Sequence, residues 1–169
     1  MIEKDIKQQF SEVYDKYIDS IYRFAYIKTS SQLNAEDIAS EVFTRYWQSL
    51  QKKTTIENER AFLYKTARNI VIDFYRKRGR TPETISTDTD FDIASNQNLQ
   101  DEANTSLELG TIKNAISQLK DDYQNVVIWH YLDDMKIEEV AKAIGKSESA
   151  TRMLLSRALK EIKEKTKEA

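Results

Sequence analysis

Cysteine is absent from the chain, which excludes disulfides and thiolate metal sites and fits a reducing compartment. Proline occurs once and glycine three times. With so few breakers and almost no strand-like alternation, the sequence predicts an all-α protein. The single histidine, His130, is expected to pack beside Tyr131, and without a second His no transition-metal site is expected. No apolar run reaches eighteen residues, and MIEKDIKQQF lacks the apolar core of a signal peptide. A soluble, cytoplasmic chain without membrane insertion is therefore expected. There is no glycine-rich phosphate loop and no nucleophile with a His base. The carboxylate pairs Asp121-Asp122, Asp133-Asp134 and Glu138-Glu139 are adjacent in sequence, so they point apart and read as helix starts and solvated faces. No enzyme and no cofactor are expected.

The net charge of −2 conceals a strong segmental polarity. Seven basic and two acidic residues lie between Glu59 and Arg80; seven acidic and no basic residues lie between Thr81 and Glu108. Between Lys142 and Glu168 there are eight basic and four acidic residues. A basic, acidic, basic order leaves two candidate phosphate-facing surfaces.

Apolar periodicity organises the same stretches. A first helix is expected from about Asp5 to Lys28, with Phe10, Val13, Tyr14, Tyr17, Ile21 and Phe24 inward. Asn34, followed by Asp37, is expected to cap a second helix carrying Ile38, Val42, Phe43, Tyr46 and Leu50. A third helix begins near Ala61 with Leu63, Ala67, Ile70 and Phe74 as its stripe, stopped by Gly79 and Pro82. These three helices predict a domain over 1–80. Residues 81–104, rich in Thr, Ser, Asp, Asn and Gln, predict a flexible acidic linker. Residues 105–169 predict a second domain of four helices, and the two domains are expected to move independently unless a partner fixes them.

The third helix is basic as well as amphipathic. Lys65, Arg68, Asn69 and Arg76 lie off the apolar stripe, among Tyr64, Phe74 and Tyr75. Cations near a helix C-terminus suit the macrodipole. Charge interleaved with rings also suits an unstacked nucleic-acid strand, with phosphates on the cations and bases on the rings. In the second domain, Val140, Ala141 and Ile144 form a short apolar face, and Gly145 stands where a turn requires positive φ. Leu154 and Ala158 are then expected inside, leaving Ser149, Arg152, Ser156, Lys160 and Lys163 outward. That pattern reads as a helix-turn-helix whose last helix enters the major groove. An ordinary helical hairpin with a solvated basic face is the other reading. Lys146 and Thr151 stand where a helix-turn-helix more often has aliphatic residues.

Taken together, these motifs resemble the sigma-70 family of bacterial RNA polymerase sigma factors, in its extracytoplasmic-function (ECF) group. The stretch Asp37-Ile38-Ala39-Ser40-Glu41-Val42-Phe43, continuing to Trp47, resembles the family's clamp-binding helix. Ala61 to Asp73, with its basic end at Arg76, resembles its promoter-melting helix. The resemblance implies region 2 in the first domain and region 4, with the helix-turn-helix, in the second. It implies a factor that binds core polymerase, through the clamp coiled coil and the flap of the two large subunits, and directs it to promoter DNA. Polymerase contacts would fall on Asp37, Ile38, Glu41, Val42, Phe43, Tyr46 and Trp47. The minus-ten element would fall on Lys52, Lys53, Arg60, Tyr64, Lys65, Arg68, Asn69, Tyr75, Arg76 and Arg78, with one base flipped near Asn69. The minus-thirty-five element would fall on Ser147, Ser149, Ala150, Thr151, Arg152, Ser156, Arg157 and Lys160. An anti-sigma factor is a candidate further partner. Lys120 departs from the Pro that members usually carry there, and Ser149-Ala150-Thr151 from the usual Gly-Thr-Val or Gly-Ala-Val.

The competing reading is a homodimeric helix-turn-helix regulator that binds duplex operator DNA without polymerase. The acidic linker, with Asp88, Asp90, Asp92, Asp101 and Glu102, is also expected to discourage free DNA binding by lying near the basic helices.

Overall fold

The computed structural model describes residues 2–79 and 114–167. Among these, all regular structure is helical. Helices α1 (Ile2–Thr29), α2 (Gln32–Gln51) and α3 (Glu59–Lys77) come first. After a helical turn at 114–117 come α4 (Asp121–Val127), a π-helical turn (Ile128–Leu132), α5 (Ile137–Ile144) and α6 (Glu148–Lys167). The expected linker and the start of the expected second domain lie outside the described residues, as does Pro82.

Capping explains where the helices begin. The Ser31 hydroxyl, not the Asn34 side chain, caps α2 by accepting from the Asn34 amide at 3.2 Å. The sequence SSQLN offers two cap candidates, and the earlier one wins because Ser30 turns the chain with φ +56°. The Asn58 Oδ1 accepts from the Ala61 amide at 2.9 Å and starts α3 two residues before the sequence suggested. Gly79 (φ +69°) follows its end, and its amide donates to the Arg76 carbonyl. Lys120, in the position where proline was expected, has φ −60° and ψ 154°, angles that proline also adopts.

α1, α2 and α3 pack around Ile21, Phe24, Ala25, Val42, Tyr46, Leu63, Tyr64 and Ala67, all buried. Leu63, Ala67 and Ile70 of the expected α3 stripe are inside, joined by Tyr64, Val71 and Tyr75, whereas Phe74 is only half-buried. Tyr14 is an exception: at 39% exposure it stands at the surface instead of facing inward. In the C-terminal helices Leu119, Val126, Ile128, Trp129, Val140, Ile144, Leu155 and Ala158 are buried.

The two sets of helices do not stand apart. A single continuous apolar cluster runs through both. Trp129, fully buried, packs its indole against Phe24 (5.6 Å between centroids) and Tyr64 (5.8 Å). The π-helical turn, closed by the Asp133 amide on the Ile128 carbonyl, places Trp129 there. Apolar and ionic contacts thus join the two sets in this arrangement.

Candidate nucleic-acid interface

The expected contact residues fall into three surfaces. On α2, Asp37 and Glu41 are exposed, and Glu41 accepts from Arg45 at 2.7 Å. Ile38, Val42 and Tyr46 are interior, so their part is to hold the helix in place. Tyr46 donates to Glu59, and burial pushes its hydroxyl pKa well up, with Glu59 adding to the rise. Beside them an open groove of about 770 Å³ separates α1 from α2, lined by Phe10, Tyr14, Phe43 and Trp47 among others. Phe10 stacks edge-on to Trp47 (5.4 Å), and Tyr14 edge-on to Phe43 (4.9 Å). The surface position of Tyr14 therefore belongs to an aromatic groove, which periodicity alone assigned to the core.

On α3 and the loop before it, Lys52, Lys53, Lys65, Asn69, Arg76 and Arg78 are exposed. Lys53 holds φ +56° at the end of α2, and Arg78 covers the face of Phe74 at 4.3 Å. Tyr64 and Tyr75 are instead buried, at 1% and 5% exposure. Tyr75 donates to the Lys28 carbonyl, and burial followed by the Asp133 charge raises the Tyr64 hydroxyl. In this arrangement neither ring is open to stack on a base. Arg60 and Arg68 are half-buried and already engaged. Arg68 pairs with Asp122 at 3.4 Å; Arg60 donates to the Asp134 carbonyl at 3.3 Å and lies 3.6 Å from Glu139.

On α6, Ser149, Arg152, Ser156, Arg157 and Lys160 are exposed together, and Lys163 continues the face. Ser147 caps the helix, its hydroxyl accepting from the Ala150 amide at 3.1 Å. Ala150 is half-buried. Thr151 is fully buried, with its hydroxyl donating to the Ser147 carbonyl at 2.8 Å. It serves as the small core residue of the hairpin and not as a surface contact. Lys146 is exposed. Gly145 adopts φ +75° as the turn demanded, and Leu155 with Ala158 turns inward, Leu154 only partly so.

Sequence reasoning missed one group entirely. Lys28 closes α1 with its side chain only 4% exposed, paired with Asp121 and donating to Gln124 Oε1 at 2.8 Å. Burial lowers its pKa against the opposing pull of Asp121. The partner lies 93 positions away, so no local pattern signals it. Asp133, expected on a solvated face, is likewise buried. It pairs with Arg23, and burial raises its carboxyl despite that arginine and the Tyr64 hydroxyl. His130 is half-buried, with its ring edge-on to Tyr131 and Nδ1 2.8 Å from the Met135 carbonyl. Among the described residues no three acidic, His or Cys side chains gather as a metal would need. Among the same residues no helix is long and apolar enough to cross a membrane.

Two family patterns match the chain in order. Sigma-70 region 2 matches residues 13–81, and Sigma-70, region 4 matches residues 109–162. The chain belongs to the sigma-70 family. Its relatives place it in the ECF group. It is similar to the ECF RNA polymerase sigma factor SigX of Bacillus subtilis (29% identity), spanning 94% of this sigma factor and 84% of SigX. SigW of the same organism is 29% identical over 86% of both chains. BldN of Streptomyces coelicolor is 28% identical over 90% of this chain, which spans only 58% of BldN. Among solved structures, RpoE of Bartonella quintana in complex with the anti-sigma factor NepR superposes with a TM-score of 0.70 at 24% identity. That match covers 97% of this chain and 98% of RpoE. CnrH, in complex with the cytosolic domain of CnrY, gives 0.67 at 17% identity over 93% of this chain and 86% of CnrH. Both likenesses support the all-α fold.

Proposed function

We propose that this chain is a transcription initiation factor that binds core RNA polymerase, brings it to specific promoters and helps open the minus-ten element. The observation that carries the reading is the pairing of two basic helical surfaces, on α3 and on α6, with an aromatic groove beside the acidic face of α2. Residues 1–80 act as region 2, 81–104 as an acidic linker and 105–169 as region 4. The protein acts in the cytoplasm and catalyses no covalent step.

Each surface has a physical task. Asp37, Glu41 and Trp47 meet the polymerase clamp, held in register by buried Ile38, Val42 and Tyr46, while Phe43 lines the groove. Lys52, Lys53, Lys65, Arg68, Arg76 and Arg78 hold the displaced strand's phosphates, and Asn69 lies beside the flipped base. Unstacking that base costs a few kcal/mol, offset by charge and by contacts to its exposed face. Arg152, Arg157 and Lys160 engage the major groove at the minus-thirty-five element, with Ser147, Ser149 and Ser156 alongside.

The overall charge of −2 argues for this division of labour and against the operator-binding alternative. Nonspecific affinity scales with the phosphates neutralised, so the free chain binds duplex weakly and relies on polymerase to present both surfaces at once. The partners are core polymerase and promoter DNA, with an anti-sigma factor as a candidate antagonist. The direct test is a binding assay with core polymerase: wild type should co-elute with it, and Asp37→Ala/Glu41→Ala/Trp47→Ala should not. Tight operator binding by the free chain would favour the alternative.

A further inference from the structure

Resting on that reading, we propose that Met153 is a specificity-determining residue of the minus-thirty-five contact, its side chain packing on the C5-methyl group of a thymine in the major groove. Met153 is 54% exposed, whereas the other large apolar residues of α6 turn inward wholly or in part. Leu155 is buried, and Leu154 and Ile162 are half-buried against the same apolar cluster. A single apolar side chain at a surface is ordinary. What sets Met153 apart is where it stands.

The register of α6 puts it in the middle of the outward face. Thr151, Leu155 and Ala158 are the buried residues of this helix and define its inner side. At about 100° per residue, Ser149, Met153, Ser156 and Lys160 fall within about 60° of one another on the opposite side. Arg152 and Arg157 stand on the two flanks, about 140° apart. All of these are exposed. A helix laid in the major groove turns the middle of its outward face to the base edges and its flanks to the walls that carry the phosphates. Met153 also lies in the second turn of α6 (Glu148–Lys167), within the N-terminal part of a recognition helix that reaches bases. Its neighbours one turn away on the face, Ser149 and Ser156, are small, so the thioether projects beyond them.

The chemistry of the groove names the ligand. Base pairs display hydrogen-bond donors and acceptors along the major groove, and the thymine methyl is the apolar feature among them. Serine hydroxyls, guanidinium groups and ammonium groups gain nothing from it. An unbranched thioether does, because it is apolar and polarizable and adjusts its torsions to the shape it meets. Contact takes apolar surface of both groups out of water and so strengthens binding. A cytosine in the thymine's place lacks the methyl and forfeits that gain. The face thereby divides its work: cations hold the register, hydroxyls meet polar edges, and Met153 selects A·T over G·C at one base pair.

Deoxyuridine isolates the contact, because it differs from thymidine only by that methyl and keeps the same pairing edge. Core polymerase carrying the full chain is bound to a promoter mapped in the host. It is also bound to duplexes in which each thymine of the minus-thirty-five element, on either strand, is replaced in turn by deoxyuridine. Wild type is compared with Met153→Ala and Met153→Leu, and thermal melting of the free chains checks that folding is kept. At one thymine the wild type should lose about fourfold in affinity on demethylation, the worth of one methyl group in apolar contact. Met153→Ala should lose at least as much on the natural promoter and respond to deoxyuridine at that position by less than about 1.5-fold, because the two deletions remove one shared interaction. Met153→Leu, still apolar, should keep most of the sensitivity. The proposal is overturned if wild type and Met153→Ala respond alike at every thymine, or if Met153→Ala binds the natural promoter as wild type does. Run-off transcription separates the failures. A wild type that initiates without this coupling defeats the thymine contact alone, and one that never initiates defeats the functional reading with it.

Discussion

Lys28 and Asp133 show what a single side chain can do when its partner arrives from far along the chain. A lysine ending a long amphipathic helix reads as a favourable charge at the negative end of the macrodipole. Here it is buried and needs Asp121 and Gln124 to stay charged. Removing one member of a buried pair leaves the other uncompensated. Lys28→Ala is thus expected to lower stability by about 3 kcal/mol, and Lys28→Met with Asp121→Leu to recover most of that, read by urea denaturation. Asp133 carries a pH signature. Its carboxyl is raised by burial, with Arg23, Tyr64 and Arg60 opposing, so the folded chain holds that proton where the unfolded one releases it. Its contribution is fully present below the ordinary carboxylate pKa of 3.8 and is lost as pH rises through the higher folded value. Asp133→Asn should flatten the dependence of the melting temperature in that window; an unchanged pH profile would remove this assignment. Neither residue was legible in the sequence, because desolvation depends on neighbours that no local period encodes.

At the scale of the element, the helix patterns were legible and their ends less so. The stripe of α3, the short face of α5 and the positive φ of Gly145 all follow from spacing and from the turn between two helices. Ser31 and Asn58 displaced the expected starts of α2 and α3, since adjacent polar residues offer equivalent caps and the tertiary path selects one. The π-helical turn at Ile128–Leu132 had no signature at all, yet it aims Trp129 at Phe24 and Tyr64. Of the expected DNA residues, the cations and serines of α3 and α6 are almost all outward, while Tyr64, Tyr75 and Thr151 went inward. Aromatic and β-branched residues satisfy core and surface patterns equally well, so type alone misplaced them. Gly145→Ala meets no atom within 4 Å of its new Cβ. Its cost is purely conformational, about 1 kcal/mol, and should show as a lower melting temperature with the helical content retained. Arg152→Ala, by contrast, should leave melting unchanged and weaken promoter binding by about 1–3 kcal/mol if it reads a base, measured by footprinting of the polymerase complex.

For the whole molecule, the order basic, acidic, basic along the sequence already indicated two binding surfaces on one tether. What it could not indicate is that the surfaces would share a core, because the joining contacts pair residues tens of positions apart: Phe24 and Tyr64 with Trp129, Lys28 with Asp121. The same contacts join the two sets of helices through one apolar cluster. On the proposed reading, a partner large enough to hold both surfaces at promoter spacing is core polymerase. Run-off transcription with core polymerase, on promoters mapped in the host, measures this most directly. Discrete transcripts that need the added chain, and that fall at least tenfold with Arg68→Ala/Asn69→Ala for a loss of about 1.4 kcal/mol or more, are the expected result. Polymerase that starts no transcript with the intact chain, or starts equally well with that variant, would contradict it.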